Sequence, residues 1–194
     1  MIMINPGHDS SIGSNGMPVD SGAVNTEYEV YECDIVMNIG MMVADYLKDA
    51  GGYDVYVMQQ DNLCGEQSYS YRYSVVGQTN LNKMDYFVSI HTNSFSNPGA
   101  KGFEILVYDR ESEAYDLAKC IQRQVLDAFD GELEDRGVRI RRDLAVLSKT
   151  SCPAVLVETA FISNEHDVQL LMNEQEEFAA AIARGITDYV ATLE

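Results

Sequence analysis

Basic residues are scarce in this chain: 13 lysines and arginines stand against 31 aspartates and glutamates in 194 residues, a formal net charge of −18. A surface of that sign repels phosphate backbones and anionic membrane faces, which excludes nucleic acid as a partner and leaves polycations or polar carbohydrate compatible. The arginines that do gather, Arg136, Arg139, Arg141 and Arg142, read as a solvated face or as local ion pairs. Long apolar runs are also missing. No stretch approaches the ~20 apolar residues of a membrane-spanning helix, so no membrane span is expected. The first residues carry no basic leader and no continuous apolar segment, so no signal peptide is expected in this chain. Cys33, Cys64, Cys120 and Cys152 are scattered with no Cys-x-x-Cys pair, which excludes a thiolate zinc site of the usual spacing. Cys33 and Cys120 fall in helical patterns as small apolar packing residues, and free thiols are expected. Histidine is rarer still, with three in the whole chain.

What is present is an ordinary globular composition, 46% hydrophobic and 23% charged. The length suits one domain, residues 1–194, with a sizeable core. Strand and helix patterns alternate from end to end. Met1–Ile4 reads as a buried strand stopped by the turn residues Asn5-Pro6-Gly7. A polar, glycine- and serine-rich segment, Asp9 to Thr26, reads as a long functional loop. Ile35, Ile39, Val43, Tyr46 and Leu47 recur at three- and four-residue steps, which predicts a helix from Glu32 to Ala50 stopped by Gly51-Gly52. Strands are expected at Val55–Met58, Tyr86–Ile90, Phe103–Tyr108 and Ala154–Glu158. Helices are expected at Tyr71–Leu81 and Ser112–Phe129, with a turn at Gly131–Asp135 between the latter and the next element. A last amphipathic helix carries Phe178, Ile182, Ile186, Tyr189 and Val190. Strands separated by helices imply an α/β fold: a mostly parallel, mixed β-sheet with helices on both faces and the catalytic site at the carboxyl ends of the strands.

Two of the three histidines end apolar runs. His8 follows the first predicted strand, and His91 closes Tyr86-Phe-Val-Ser-Ile-His91. One strand-end histidine is ordinarily a hydrogen-bonded structural residue, but two in a histidine-poor chain point to a metal site. Catalytic zinc takes three protein ligands and keeps a position for water, and two histidines with a carboxylate form such a set. Glu32 opens the first predicted helix, where the dipole favours an ionised side chain; Glu27 and Glu29 are its rivals. Glu158 ends a buried strand, a placement that suits a general base. Asp9 and Glu104, near strand ends, suit ion-pair partners. His166, entering a helix in a polar stretch, reads as solvated or capping.

These residues resemble the zinc-dependent N-acetylmuramoyl-L-alanine amidases of the amidase type 3 family, by motif and order over nearly the whole chain. Asn5-Pro-Gly-His8 resembles the family's Asp/Asn-Pro-Gly-His opening, and Glu32-Cys-Asp-Ile-Val-Met its Glu-x-x-hydrophobic helix start. Counting back from Val43-Ala-Asp-Tyr-Leu47 selects Glu32 over Glu27 and Glu29. Arg72 and Asn80 follow the family spacing. Asp85-Tyr-Phe-Val-Ser-Ile-His-Thr-Asn93, Arg136-Gly-Val138 and Leu144-Ala-Val-Leu147 do so too. Pro153-Ala-Val-Leu-Val-Glu158-Thr-Ala-Phe-Ile-Ser-Asn164 resembles the block around the catalytic glutamate, with Ala160 where glycine is usual; Asn5 likewise replaces the commoner aspartate. The resemblance implies His8, Glu32 and His91 as Zn²⁺ ligands, Glu158 as catalytic base and Asn93 as a substrate-binding residue. The reaction implied is hydrolysis of the amide between the lactyl group of N-acetylmuramic acid and L-alanine in peptidoglycan. A zinc peptidase or deacylase on the same scaffold, and a silent wall-binding module, are the alternatives. The resemblance further implies action on the bacterial cell wall by an amidase catalytic domain without a wall-binding domain, with a monomer favoured. Release would be phage-lysin-like, or the chain is a truncated secreted protein.

Overall fold

The computed structural model describes residues 1–65 and 68–193. Strand β1 (Ile2–Pro6) leads into a hairpin, β2 (Asp9–Ile12) with β3 (Pro18–Asp20), and a second hairpin, β4 (Val24–Asn25) with β5 (Val30–Tyr31). Helix α1 (Glu32–Asp49) follows, then β6 (Val55–Val57), α2 (Ser68–Tyr71), α3 (Val75–Leu81), β7 (Tyr86–Asn93) and β8 (Phe103–Val107). The chain continues through α4 (Glu113–Ala128), β9 (Asp135–Ile140), α5 (Ala145–Ser148), β10 (Ala154–Phe161), α6 (Glu165–Asn173) and α7 (Gln175–Ala191).

Six strands form one mixed sheet in the order β6-β1-β7-β10-β8-β9. Only the β10–β8 pairing is antiparallel; the other four are parallel. The chain is a single α/β domain. Alternation along the strands divides its core into two layers. Ile2, Ile4, Val88, Ile90, Val155 and Val157 point to the layer covered by α1, α4 and α7. Met3, Phe87, Leu106 and Leu156 point to the other, where Val75 and Val76 of α3 meet Val146 and Leu147 of α5. No helix is long and apolar enough to cross a membrane among the described residues.

The expected helix at Glu32–Ala50 forms with its apolar stripe buried and its acidic first turn at the positive end of the dipole. Gly51, at φ +92°, stops it. The helix expected at Tyr71–Leu81 is broken instead. Ser74 Oγ accepts the Gly77 amide at 3.0 Å and caps α3, and the turn before it lies directly on Gly77. Asn80, one of the family-spaced residues, donates to the Lys149 carbonyl and accepts from the Ser151 amide, tying α3 to the segment that enters β10. Strand β9 was hidden from periodicity because arginines and Gly137 interrupt its apolar positions. The segment Asp9–Thr26 holds the whole β2–β3 hairpin and the first arm of the second hairpin where a loop is expected. All four cysteines are free, with Cys33 buried in α1.

The register sets the level of the site. Asn5 lies opposite Ser89, and Glu158 lies between His91 on one side and Glu104 on the other. Buried Asn5 is consumed in this alignment: its amide donates to the Met58 carbonyl at 2.8 Å and its oxygen accepts from Ser89 Oγ at 2.9 Å. Behind the sheet, α4 and α7 cross in direct backbone contact, since a Cβ on Gly185 would lie 2.4 Å from Ile121 Cα. Gly185→Ala must push these helices apart and is expected to cost about 1–3 kcal/mol of stability. A thermal-unfolding midpoint equal to the parent's would show that the crossing yields freely.

Candidate metal centre

The turn Pro6-Gly7 leaves β1 and puts His8 in the left-handed region at φ +64°, a conformation that a side-chain-bearing residue adopts at a cost. Two carboxylates hold the ring there. His8 Nδ1 lies 2.9 Å from Asp20 Oδ2, and Nε2 lies 3.1 Å from Glu32 Oε2. Asp20 arrives because the β2–β3 hairpin folds the glycine-rich segment back, setting Asp20 opposite Asp9.

Glu32 is the first residue of α1, and its side chain is only 4% exposed. Four groups converge on its carboxylate. Oε2 accepts the Ala23 amide at 2.9 Å and faces His8; Oε1 accepts the Thr92 amide at 2.9 Å and faces His91 Nδ1 at 3.1 Å. Glu27 and Glu29 lie exposed in the turn joining β4 to β5, so of the three candidates only Glu32 reaches the histidines. Glycines make the room: a Cβ on Gly7 would stand 2.1 Å from the His91 ring, and one on Gly22 would stand 2.6 Å from Glu32 Oε2.

One ligand atom from each of His8, Glu32 and His91 fits within a 4.8 Å cluster. If Nδ1–H of His8 is given to Asp20, its Nε2 is left as the ligating nitrogen, the usual carboxylate–histidine arrangement of metal sites. The electrostatics favour a cation. Burial opposes charge on His8, yet the hydrogen bonds and charges of Glu32 and Asp20 outweigh it and raise the imidazole to about 9. Burial likewise opposes charge on Glu32, and the His8 and His91 hydrogen bonds reverse this and hold the carboxyl far below its usual range. Without a metal this pocket stabilises protons on imidazole; two imidazoles and a carboxylate are equally a divalent-metal donor set.

Glu158 faces the same cleft, of about 300 Å³. Its Oε2 is buried without a hydrogen-bond partner among the described residues, a costly state for an idle carboxylate. Burial, aided by the charges of Glu32 and Glu104 and opposed by His91 and His8, pushes its carboxyl up to about 7.

Asn93 also lines the cleft, but its amide donates to Glu104 Oε1 at 2.8 Å. Glu104 accepts from Arg136 Nε at 3.1 Å, and Arg139 stands 4.0 Å away, so Glu104 is an ion-pair partner as its position suggested. Asp9 instead caps a local turn at the Ser11 amide. His166 is about half exposed; the residue that caps α6 is Asn164, which accepts from the amides of His166 and Asp167.

Sequence reasoning missed Asp20 and Gln59. A ligating histidine ordinarily gives its second nitrogen's proton to a carboxylate, a backbone carbonyl or water, so a carboxylate could have been sought in the loop after His8. Gln59 carried no local signal. Its Nε2 donates to the carbonyls of Gly7 and Cys33 at 2.9 and 2.8 Å, and Oε1 accepts from Ser10 Oγ, which locks the His8 turn to the start of α1.

Comparison with known proteins agrees with this architecture. Residues 2–188 match the amidase type 3 family, described as N-acetylmuramoyl-L-alanine amidase. The uncharacterized protein YqiI of Bacillus subtilis is 33% identical over 174 residues, 88% of this chain and 79% of that protein. The endolysin of Bacillus phage SPP1 is 36% identical over 121 residues, 60% of this chain and 42% of that protein. Among solved structures, the N-acetylmuramoyl-L-alanine amidase AmiC2 of Nostoc punctiforme superposes with a TM-score of 0.74 at 31% identity, covering 97% of each chain. The catalytic domain of CwlV, an amidase of Bacillus (Paenibacillus) polymyxa, gives 0.75 at 26% identity, covering 98% of this chain and 99% of that one. With its fold shared throughout and its sequence matched from the first strand to the last helix, this chain belongs to the amidase type 3 family of N-acetylmuramoyl-L-alanine amidases.

Proposed function

We propose that this protein is a zinc-dependent N-acetylmuramoyl-L-alanine amidase that hydrolyses the lactyl–L-alanine amide of peptidoglycan and so acts on the bacterial cell wall, with residues 1–194 as its catalytic domain. The observation that carries the reading is the Glu158 oxygen that has no hydrogen-bond partner among the described residues, buried in the same cleft as the His8–Glu32–His91 cluster of a chain in this family. His8, Glu32 and His91 would hold the zinc ion, which supplies Lewis acidity toward the amide carbonyl and lowers the pKa of water.

The chain's own residues divide the remaining work. Glu158 accepts a proton from the attacking water as the new C–O bond forms, and delivers it to the departing nitrogen as the C–N bond breaks. The products are the muramoyl carboxylic acid and the free amine of L-alanine, so atoms and protons balance. Asp20 and Gln59 are positioning residues: Asp20 fixes the His8 ring, and Gln59 fixes the turn that carries it. Asn93, on the cleft wall, is assigned to substrate binding, held in orientation by Glu104.

Incubation of the zinc-loaded protein with muropeptide should release an L-alanyl amine, detected by amine derivatisation and mass spectrometry. Cleavage between two amino acids would make the protein a peptidase, and binding without product would make it a wall-binding module. Glu158→Ala should keep zinc, by metal analysis, while losing about 10²–10⁴-fold in turnover; loss of zinc would mean that Glu158 is a ligand.

His91→Ala should abolish stoichiometric zinc, and Asp20→Asn should weaken zinc affinity by about 10–100-fold in a competition titration. Equal affinity in Asp20→Asn would remove Asp20 from the centre. The Glu158 carboxyl also predicts a stability effect. Its folded value, about 7, lies above that of an unfolded glutamate, so folding binds a proton there and the cost of the buried charge grows as pH rises from the unfolded value to 7. In metal-free protein, Glu158→Gln should therefore be more stable than the parent at pH 8, by up to about 3 kcal/mol, with the gain vanishing toward pH 4. Denaturant unfolding at both pH values measures it, and a pH-independent difference would place the carboxyl in a solvated setting.

A further inference from the structure

The four clustered arginines separate in the structure. Arg136 is spent on Glu104 and the Phe161 ring, Arg139 stands near Glu104, and Arg142 lies over the Tyr108 ring. Arg141 alone of the four lines the cleft that holds Glu158. Its backbone is anchored just beyond β9 by an amide hydrogen bond to the Val107 carbonyl, and its guanidinium is gripped by Asp143 through Nε and Nη2 at 2.9 and 2.8 Å. That pair uses two of the five N–H donors and fixes the plane of the fork, leaving three donors directed elsewhere. The cleft that Arg141 and Glu158 share is also lined by Leu106, Leu144 and Leu156. Leu156 lies two residues before Glu158 on β10, about 7 Å along the strand, and opposite Leu106 of β8.

A cation there has a definite electrostatic use. Away from the zinc ligands, the cleft contains Glu158 and adjoins Glu104, in a chain of net charge −18, so an anionic substrate group on that side would be repelled unless a cation met it. Apart from the two imidazoles, Arg141 is the only cationic side chain lining it among the described residues. In the substrate proposed above, the muramoyl carboxyl is consumed in the scissile amide and the glycan is neutral, so carboxylates remain only on the peptide. We propose that Arg141 is a specificity-determining residue that binds a carboxylate of the peptide stem, and that the stem lies across Leu106, Leu144 and Leu156 on the leaving-amine side. This assignment rests on the amidase reading and adds which half of the substrate occupies this wall.

The test compares two muropeptides that differ only in whether the stem carboxylates are free or amidated, with zinc-loaded parent and Arg141→Gln. The parent should prefer the free-carboxylate form in kcat/KM by about tenfold, as an exposed charge-assisted contact provides. Arg141→Gln should collapse that ratio to about one through KM. An undiminished preference in Arg141→Gln, or none in the parent, overturns the proposal. Calorimetric binding of the free stem peptide gives a readout independent of turnover, and binding should weaken about tenfold in Arg141→Gln and at raised salt in the parent. If neither muropeptide is cleaved, the amidase reading fails; the peptide titration then still decides Arg141, with equal affinities in parent and variant counting against it.

Discussion

A single buried carboxylate organises the molecule. Glu32 is almost wholly withdrawn from water, and an ionised group in that position is tolerable only if its lone pairs are met. They are met from several parts of the chain: the Ala23 amide from the link between the two hairpins, the Thr92 amide from β7, and the imidazoles of His8 and His91. Each partner demands a further placement. His8 needs the strained turn after β1, and Thr92 needs β7 to run past its expected end at Ile90 to Asn93. The start of α1, the end of β1 and the end of β7 are thereby locked at one level of the sheet.

Supporting contacts keep this arrangement from relaxing. Gln59 joins the carbonyls of Gly7 and Cys33, so the turn bearing His8 and the first turn of α1 cannot drift apart. Asn5 crosslinks β1 to Ser89 and Met58 one step below the site, where an ionised aspartate would have no proton to give to the Met58 carbonyl. Glycine at 7 and 22 is required by closeness, because the imidazoles and the Glu32 carboxylate occupy the space a side chain would take. Rigidity of this kind is what a site built from three elements needs if its ligand atoms are to stay within a few ångströms.

The site also mixes charged and apolar groups. Its lining combines the His8–Glu32–His91 cluster with three leucines and one guanidinium fixed by Asp143. Glu158 stands level with His91 in the sheet, and one of its oxygens has no hydrogen-bond partner among the described residues. A polar cluster, a buried acid and apolar side chains within one groove make a place where an amide can be oriented as well as cleaved.

Much of this was legible in residue order alone. His8, His91 and Glu158 announce themselves because each ends an apolar run, and strand ends in such sheets open onto one edge. The alternating strands and helices specify the fold class, and the stripes of α1 and α7 specify their buried faces, because local periodicity maps directly onto one side of an element. Other features were beyond that logic. The choice among Glu27, Glu29 and Glu32 turns on a two-residue hairpin arm that exposes the first two, and family spacing was needed to select the third. Asp20 joins His8 through a hairpin closure, and Gln59 reaches two carbonyls from elements far apart in sequence, as Arg141 reaches the cleft from beyond an edge strand whose pattern arginine and glycine obscured. Sequence thus determined which residues have the chemistry and which element ends carry them, since those depend on neighbours a few positions away. Only the tertiary structure decided which of the many carboxylates and arginines meet, because long-range hydrogen bonds and charge pairing depend on distances that local pattern does not encode.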